Sequence, residues 1–317
     1  MDTLVTALIV VVGVPAVVCG YIFATEWVIR GLSSSGKARV RPWLWLLPAV
    51  LFLTIFLIYP TVRTFINSFF GRAGEFIGLQ NYIDLFTSPD FLQVLLNNAL
   101  WLVLFTGVVV GLGLVIAVLA DRVSYETATK AVIFIPMAIS FVAAGVIWGF
   151  MYNINPNIGT VNAALVAVGL EPQAFIQEWP RNTFLLIVVG IWMWVGFAMV
   201  ILSAGLKGIS TELLEAARID GANELQVFFR IILPLLAPTI AVVATTVVIT
   251  ALKTFDIIYV MTGGLFDTSV IGFEFYREQF TNRDPGAAAA VAIILLLAIV
   301  PIMLVNIRRF QAQEAMR

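Results

Sequence analysis

The most informative residues for chemistry are Ser210-Thr211-Glu212-Leu213-Leu214-Glu215-Ala216-Ala217-Arg218-Ile219-Asp220-Gly221, and the chemistry they suit is docking. Ser210 or Thr211 can cap a helix N-terminus, Glu212 sits against the positive end of the helix dipole, and Gly221 is a natural left-handed stop. Ala216 and Ala217 present little side chain, so a helix bearing them can sink into a groove on another protein. Gly221 then lets the backbone reverse direction at once. Glu215 can tie the two sides of the turn together through Arg218 or nearby backbone donors. A second amphipathic run, Ala222 to Ile232, carries Leu225, Phe228, Phe229 and Ile232 at helical spacing, and Leu233-Pro234 is expected to end it. The alternative is a connector lying on lipid headgroups, which two exposed alanines and four acids serve poorly.

Other kinds of chemistry are missing. The chain has no His and one Cys, Cys19, which removes the usual zinc sites, His-based acid/base catalysis and any intrachain disulfide. Cys19 reads as one more apolar residue. No metal or cofactor is expected in this chain, and no catalytic set is evident. Lys and Arg number 18 against 19 Asp and Glu, a net charge of −1, so there is no basic field to draw in nucleic acid.

The elements that must hold the docking segment are membrane helices. Of the 317 residues 61% are hydrophobic and 12% charged, against about 25% charged in a soluble domain. Seven stretches reach the roughly 20 apolar residues needed to cross a bilayer. They lie near Leu4–Thr25, Trp43–Val62, Leu95–Ala120, Ala131–Tyr152, Asn182–Leu206, Leu235–Leu252 and Ala287–Ile307. The expected fold is an all-α polytopic membrane protein with seven transmembrane helices. A Gly/Ser run, Gly31 to Gly36, reads as a flexible joint after the first. Nothing basic precedes the first stretch and Arg30 to Arg41 follow it, which favours a retained helix over a signal peptide.

Twelve of the 18 cations fall on one side of these spans: Arg30, Lys37, Arg39, Arg41, Arg122, Lys130, Lys207, Arg218, Arg230, Arg308, Arg309 and Arg317. Cationic loops stay in the cytoplasm, so the expected orientation is N-terminus out and C-terminus in, with the docking segment inside. Glu26, near the inner end of the first helix, is expected to snorkel toward the interface, with pairing to a partner as the alternative. The later spans carry no Asp, Glu, Lys or Arg over their central turns. A proton relay is therefore not evident; sodium coupling through carbonyls and hydroxyls stays open, and the favoured inference is a driving force outside this chain. Gly107 with Gly111 has the spacing that lets two helices approach closely.

The docking segment resembles the signature of the permease subunits of ATP-binding-cassette importers: Glu-Ala-Ala, three residues, Gly, nine residues, Ile, one residue, Leu-Pro. It stands here complete as Glu215-Ala216-Ala217, Gly221, Ile231, Leu233 and Pro234. Phe76-Ile77-Gly78-Leu79-Gln80-Asn81-Tyr82, Leu85-Phe86 and Pro89-Asp90-Phe91 resemble the first external loop of carbohydrate permeases of the maltose and glycerol-phosphate type. Phe255-Asp256 with Tyr259, Thr262, Gly263 and Gly264 is similar to the outer end of their next-to-last helix, although Leu265 stands where such permeases commonly have Pro.

The resemblance implies a six-helix type I importer core at 43–310, containing a cytoplasmic coupling segment at 207–234. It also implies an added N-terminal helix and linker at 1–42, and a tail at 311–317. The implied partners are a second homologous permease, an ATP-binding-cassette ATPase dimer, an extracytoplasmic sugar-binding protein and membrane lipid, in a bacterial or archaeal cytoplasmic membrane. ATP and Mg would belong to the ATPase, since this chain has no Gly-rich phosphate loop ending in Gly-Lys-Ser or Gly-Lys-Thr. The implied cycle is alternating access, and the implied cargo an oligosaccharide or α-glucoside, with glycerol phosphate or a monosaccharide open. Sugar contacts carry over to Met193, Trp194, Phe197, Ala251 and Thr254, where an aromatic would serve equally as a lipid-facing anchor. Lys253 and Asp256 would serve equally as a span-end ion pair. The rival reading is a secondary carrier or channel, which leaves the docking segment unexplained.

Overall fold

The structure, a computed structural model, describes residues 2–121 and 123–314. Arg122 and Arg317 of the charge count, and residues 315–317 of the expected tail, lie outside the described residues. Every regular element among the described residues is helical. The chain separates into two compact units, Met1–Thr64 and Phe65–Arg317.

In the first unit, α1 (Asp2–Ile29) is followed by α2 (Ser34–Leu53) and a π-helical turn, Thr54–Ile58, that leads into α3 (Tyr59–Asn67). The Ser33 hydroxyl caps α2 by accepting from Gly36 N at 3.3 Å, which shortens the Gly/Ser joint to a turn. Glu26 does not snorkel free: Arg41 Nη2 on the neighbouring helix donates to its Oε1 at 2.6 Å, since an opposite charge within reach outcompetes partial hydration.

The second unit begins with α4 (Gln80–Thr87) and α5 (Pro89–Leu100), which continues through a π turn, Trp101–Phe105, into α6 (Thr106–Ala120). Then come α7 (Glu126–Phe134), α8 (Phe141–Met151), α9 (Thr160–Ala167) and α10 (Arg181–Lys207). They are followed by α11 (Thr211–Ile219), α12 (Glu224–Val227), α13 (Leu233–Leu252), α14 (Asp256–Met261), α15 (Ile271–Tyr276) and α16 (Pro285–Glu314).

The centre of this unit is α10, with Leu186, Val189, Ala198, Met199 and Leu202 fully buried and α6, α7 and α13 packed around it. Two glycines permit that closeness. A Cβ on Gly113 of α6 would lie 2.6 Å from Ala198 Cβ, and one on Gly196 of α10 would lie 2.6 Å from Ile133 O and 2.8 Å from Phe134 Cα. Gly107 and Gly111, which have the helix-packing spacing, meet nothing within 4 Å. The small residue that matters on α6 is set by the neighbour's position rather than by its own repeat.

Among the described residues six helices are long and apolar enough to cross a membrane, and a seventh span exists if a bent pair is counted as one. That pair is the expected fourth span. It is not one rod: α7 and a 3₁₀ turn, Ile135–Ala138, meet α8 at 97°. Pro136 and the extended Ile139 break the ladder, and Ser140 starts a new helix by accepting from Ala143 N at 3.1 Å. Leu233-Pro234 likewise does not end a helix. The chain runs through a π turn, Phe228–Ile232, into α13, giving one apolar helix from Glu224 to Leu252. Proline is tolerated there because it occupies the first turn beyond a wider π register, where its missing N–H costs least.

The loop between α14 and α15 holds four residues at positive φ: Gly263 (59°), Gly264 (70°), Phe266 (57°) and Asp267 (58°). Buried asparagines secure it. Asn97 Nδ2 donates to Asp267 O at 2.6 Å and Ser269 O at 2.9 Å, Asn182 Nδ2 donates to Phe266 O at 2.7 Å, and Asn98 Oδ1 accepts from Ile271 N at 2.7 Å.

Just beyond, Glu274 is buried beside Arg277, whose Nη2 donates to its Oε1 at 2.7 Å. Burial pushes this carboxyl above its ordinary value; Arg277 pulls it back in part and Glu278 adds to the rise. The native chain thus binds the proton more tightly than the unfolded one. Stability from this group is complete below the ordinary Glu value of about 4.3 and declines as pH climbs through the raised native value. Glu274→Gln is expected to flatten this part of a pH series of thermal unfolding in detergent; an unchanged slope would show that Glu274 does not set it.

Candidate functional site

Two features of the second unit can do chemistry. The first is a cavity of about 230 Å³ lined by Trp101 and Phe105, Phe141, Gly190 and Trp194, and the stretch from Ile249 to Ile257 without Ala251 and Leu252. Each wall comes from a different helix. Trp101 and Phe105 belong to the π turn before α6 and lie over Gly190 of α10, where a Cβ would come within 2.8 Å of Trp101 Cζ3. Trp194, one turn further along α10, is braced edge-on by Phe197 at 5.3 Å between centroids. Phe141 opens α8 at the bend.

The polar groups are few. Thr250 and Thr254 donate to the carbonyls of Thr246 and Thr250 at 3.0 and 3.3 Å, which leaves their oxygens free to accept. Lys253 and Asp256 both reach the wall, and among the described residues they form no ion pair with one another. The indole Nε1 of Trp101 is buried without a partner among the described residues. Flat aromatic faces, hydroxyl acceptors and one charge of each sign suit a polyhydroxyl solute.

Of the residues expected to touch solute, Trp194 and Thr254 come together on this wall. Phe197 supports Trp194 from behind, while Met193 and Ala251 are 3% and 0% exposed within the core and do not line the cavity. Trp101, Phe105 and Phe141 were not singled out from sequence; nothing in an apolar run distinguishes a wall from a lipid face. The i, i+4 spacing of Trp101 and Phe105 was the available signal.

The second feature is the turn between α11 and α12. Gly221 has φ +87°, and the helix ends in a paired closure: Ala222 N donates to Ala217 O and Gly221 N to Arg218 O, both at 3.0 Å. Asn223 and Gln226 then form a reciprocal cap, each side chain accepting from the other's backbone N–H at 2.9 Å. Ser210 occupies the N-cap of α11 without a side-chain bond. The clamp across the turn is Arg218 Nε to Glu224 Oε1 at 2.8 Å; Glu215 is left exposed, because Glu224 lies on the far side of the turn where the guanidinium points. No residue of α11 is buried. Ile219 (86% exposed), Leu225 and Phe229 stand in the open. Ala216 and Gly221 are exposed, Ala217 and Ile231 half-buried, Leu233 half-buried and Pro234 exposed at the start of α13.

A helical polytopic membrane protein with a partly aromatic internal cavity and an exposed helix–turn–helix has the architecture of a transport subunit. The chain belongs to the family of binding-protein-dependent transport system inner membrane components, whose model matches residues 109–309. It is 51% identical to the osmoprotective compounds uptake permease protein GgtC of Synechocystis, over 85% of this chain and 99% of that one. It is 42% identical to the alpha-glucoside transport system permease protein AglF of Rhizobium meliloti, over 97% of each. Among solved structures, a chain of the bacterial alginate ABC transporter in complex with alginate pentasaccharide-bound periplasmic protein matches with a TM-score of 0.73. That match has 26% identity and covers 85% of this chain and 95% of that chain.

Proposed function

We propose that this chain forms half of the translocation pathway of an ATP-driven importer for a neutral polyhydroxyl solute, an α-glucoside or a related oligosaccharide. The observation that carries the reading is the α11–α12 turn, where no residue of α11 is buried and Ile219, Leu225 and Phe229 stand exposed. Glu215, Ala216, Ala217, Gly221, Ile231, Leu233 and Pro234 form its coupling segment against an ATPase dimer that holds ATP and Mg, while this chain itself is non-catalytic. A second permease completes the cavity, an extracytoplasmic binding protein delivers the solute, and the cavity is exposed to each side in turn. The N-terminus lies outside and the C-terminus inside, and residues 43–310 form the transport core. The names of the α-glucoside and osmoprotectant relatives support the solute class, as does the lining of Trp194, Thr250, Thr254, Lys253 and Asp256.

Uptake by the complete importer in liposomes is expected to require ATP inside and to be indifferent to ion gradients. Solute accumulation by this chain alone, driven by an ion gradient, would overturn the proposal in favour of a carrier. In the complete importer Asp256→Asn weakens a charge-assisted bond to a hydroxyl, so half-maximal uptake should require about tenfold more solute-loaded binding protein or lose rate by a similar factor. Unchanged kinetics would remove Asp256 from the pathway.

A further inference from the structure

Away from the cavity, five polar side chains from three helices, Asp121, Glu126, Lys130, Ser203 and Lys207, form one node with Lys130 at its centre. Its Nζ contacts Asp121 at the end of α6, Glu126 one turn earlier on α7, and the Ser203 hydroxyl on α10. Ser203 in turn donates to Asp121 Oδ1 at 2.7 Å, and Lys207, the last residue of α10, meets Glu126 Oε1 at 2.5 Å. The node is sheltered: the Lys130 side chain is 15% exposed and Ser203 is buried. Its formal charges, two of each sign, cancel. Lys207 is 59% exposed, so screening is weak only around Lys130 and Ser203, where the bonds reinforce one another.

The location gives the node a task. Only Gly208, Ile209 and Ser210 separate Lys207 from α11, so any movement of the docking turn enters α10 at this end. Helix α7 is held to α10 at two places: by the node near its start, and near its end by the backbone contact at Gly196 with Ile133 and Phe134. Two attachments fix an angle where one fixes only a position. Beyond α7 lies the 97° bend, and Phe141, the first residue after it, lines the cavity. Helix α8 also packs on α14, whose first residues, Asp256 and Ile257, lie on the same wall.

We propose that Lys130 is a positioning residue for transport: it holds α7 at a fixed angle on α10, so that displacement of the docking turn is imposed on the bend and thereby on Phe141. This rests on the importer reading above. Without Lys130, Asp121 and Glu126 face Ser203 with Lys207 as the remaining cation of the node, and α7 can pivot about the Gly196 contact. The docking turn then still engages its partner while the cavity wall no longer follows.

The test compares Lys130→Met and Lys130→Arg in the complete importer in liposomes, reading solute imported and ATP hydrolysed in the presence of loaded binding protein. Lys130→Met is expected to keep hydrolysis within about twofold of the parent while solute moved per ATP falls about tenfold, and Lys130→Arg to recover most of that ratio. An unchanged ratio, or uptake and hydrolysis falling together with no rescue by Arg, overturns the proposal and leaves Lys130 a structural residue. Should Lys130→Met not reach the membrane, Ser203→Ala removes the hydroxyl bridge without altering charge, and the same ratio decides. If the parent itself moves no solute with ATP, it is the importer reading that fails.

Discussion

Gly221→Val is expected to leave the chain folded in the membrane and to reduce ATP-dependent uptake by at least about tenfold. The cause is backbone geometry. Gly221 sits at φ +87°, a conformation that costs an L-residue roughly 1–2 kcal/mol and a β-branched one more. An added Cβ there meets no atom of the chain within 4 Å, so the substitution creates no internal clash. What it disturbs is the paired closure on Ala217 and Arg218, and with it the angle between α11 and α12 that the Arg218–Glu224 pair maintains. Gly221→Asn separates two causes, because Asn tolerates left-handed backbone. Retained uptake with Asn assigns the requirement to conformation; failure with Asn assigns it to close approach by the partner. Normal uptake with Val would remove the turn from the coupling account.

Asn97→Ala is expected to lower stability by about 2–4 kcal/mol, the cost of several buried groups left without partners. Asn97 is fully buried and satisfies the carbonyls of Asp267 and Ser269, while its Oδ1 accepts from Trp179 Nε1 at 3.2 Å. Removing the amide frees the loop whose Phe266 and Asp267 stand at positive φ, and that loop is then the first part to open. Limited proteolysis of the purified variant should cut between residues 262 and 270, and thermal unfolding in detergent should shift downward. Protection equal to that of the parent would mean that Asn182, through Phe266 O, is sufficient to hold the loop.

The helix–turn–helix around Gly221 was legible in the sequence because its physics is local. Gly221 and the apolar spacing of Leu225 and Phe229 act over a few residues, and the structure realises the turn there; the Asn223 cap was not foreseen. The bend at Ser140 was hidden for the opposite reason: hydropathy measures how apolar a run is and says nothing of its direction, although Pro136 inside the run is a helix interruption. The reach of α12 into α13 was missed because Pro234 is read as a stop in an α-helix, whereas a π turn precedes it here. Half of the cavity was accessible, Trp194 and Thr254 lying close on either side of the docking segment. Trp101 and Phe105 arrive from a helix nearly ninety residues away, by packing against Gly190. The loop anchors Asn97, Asn98 and Asn182 left a trace as paired polar residues at the edges of apolar runs, and their partners are set only by the tertiary fold.

The unbroken course from Glu224 to Leu252 puts part of the docking segment and part of the cavity wall on the same rod. At 1.5 Å per residue, Thr250 lies about 40 Å along it from the Asn223 cap. A rigid tilt of about 5° at one end sweeps the other through about 3.5 Å, more than the length of a hydrogen bond. If the importer reading proposed above holds, seesaw geometry of this kind turns a small tug at the α11–α12 turn into the loss or gain of contacts along the cavity wall.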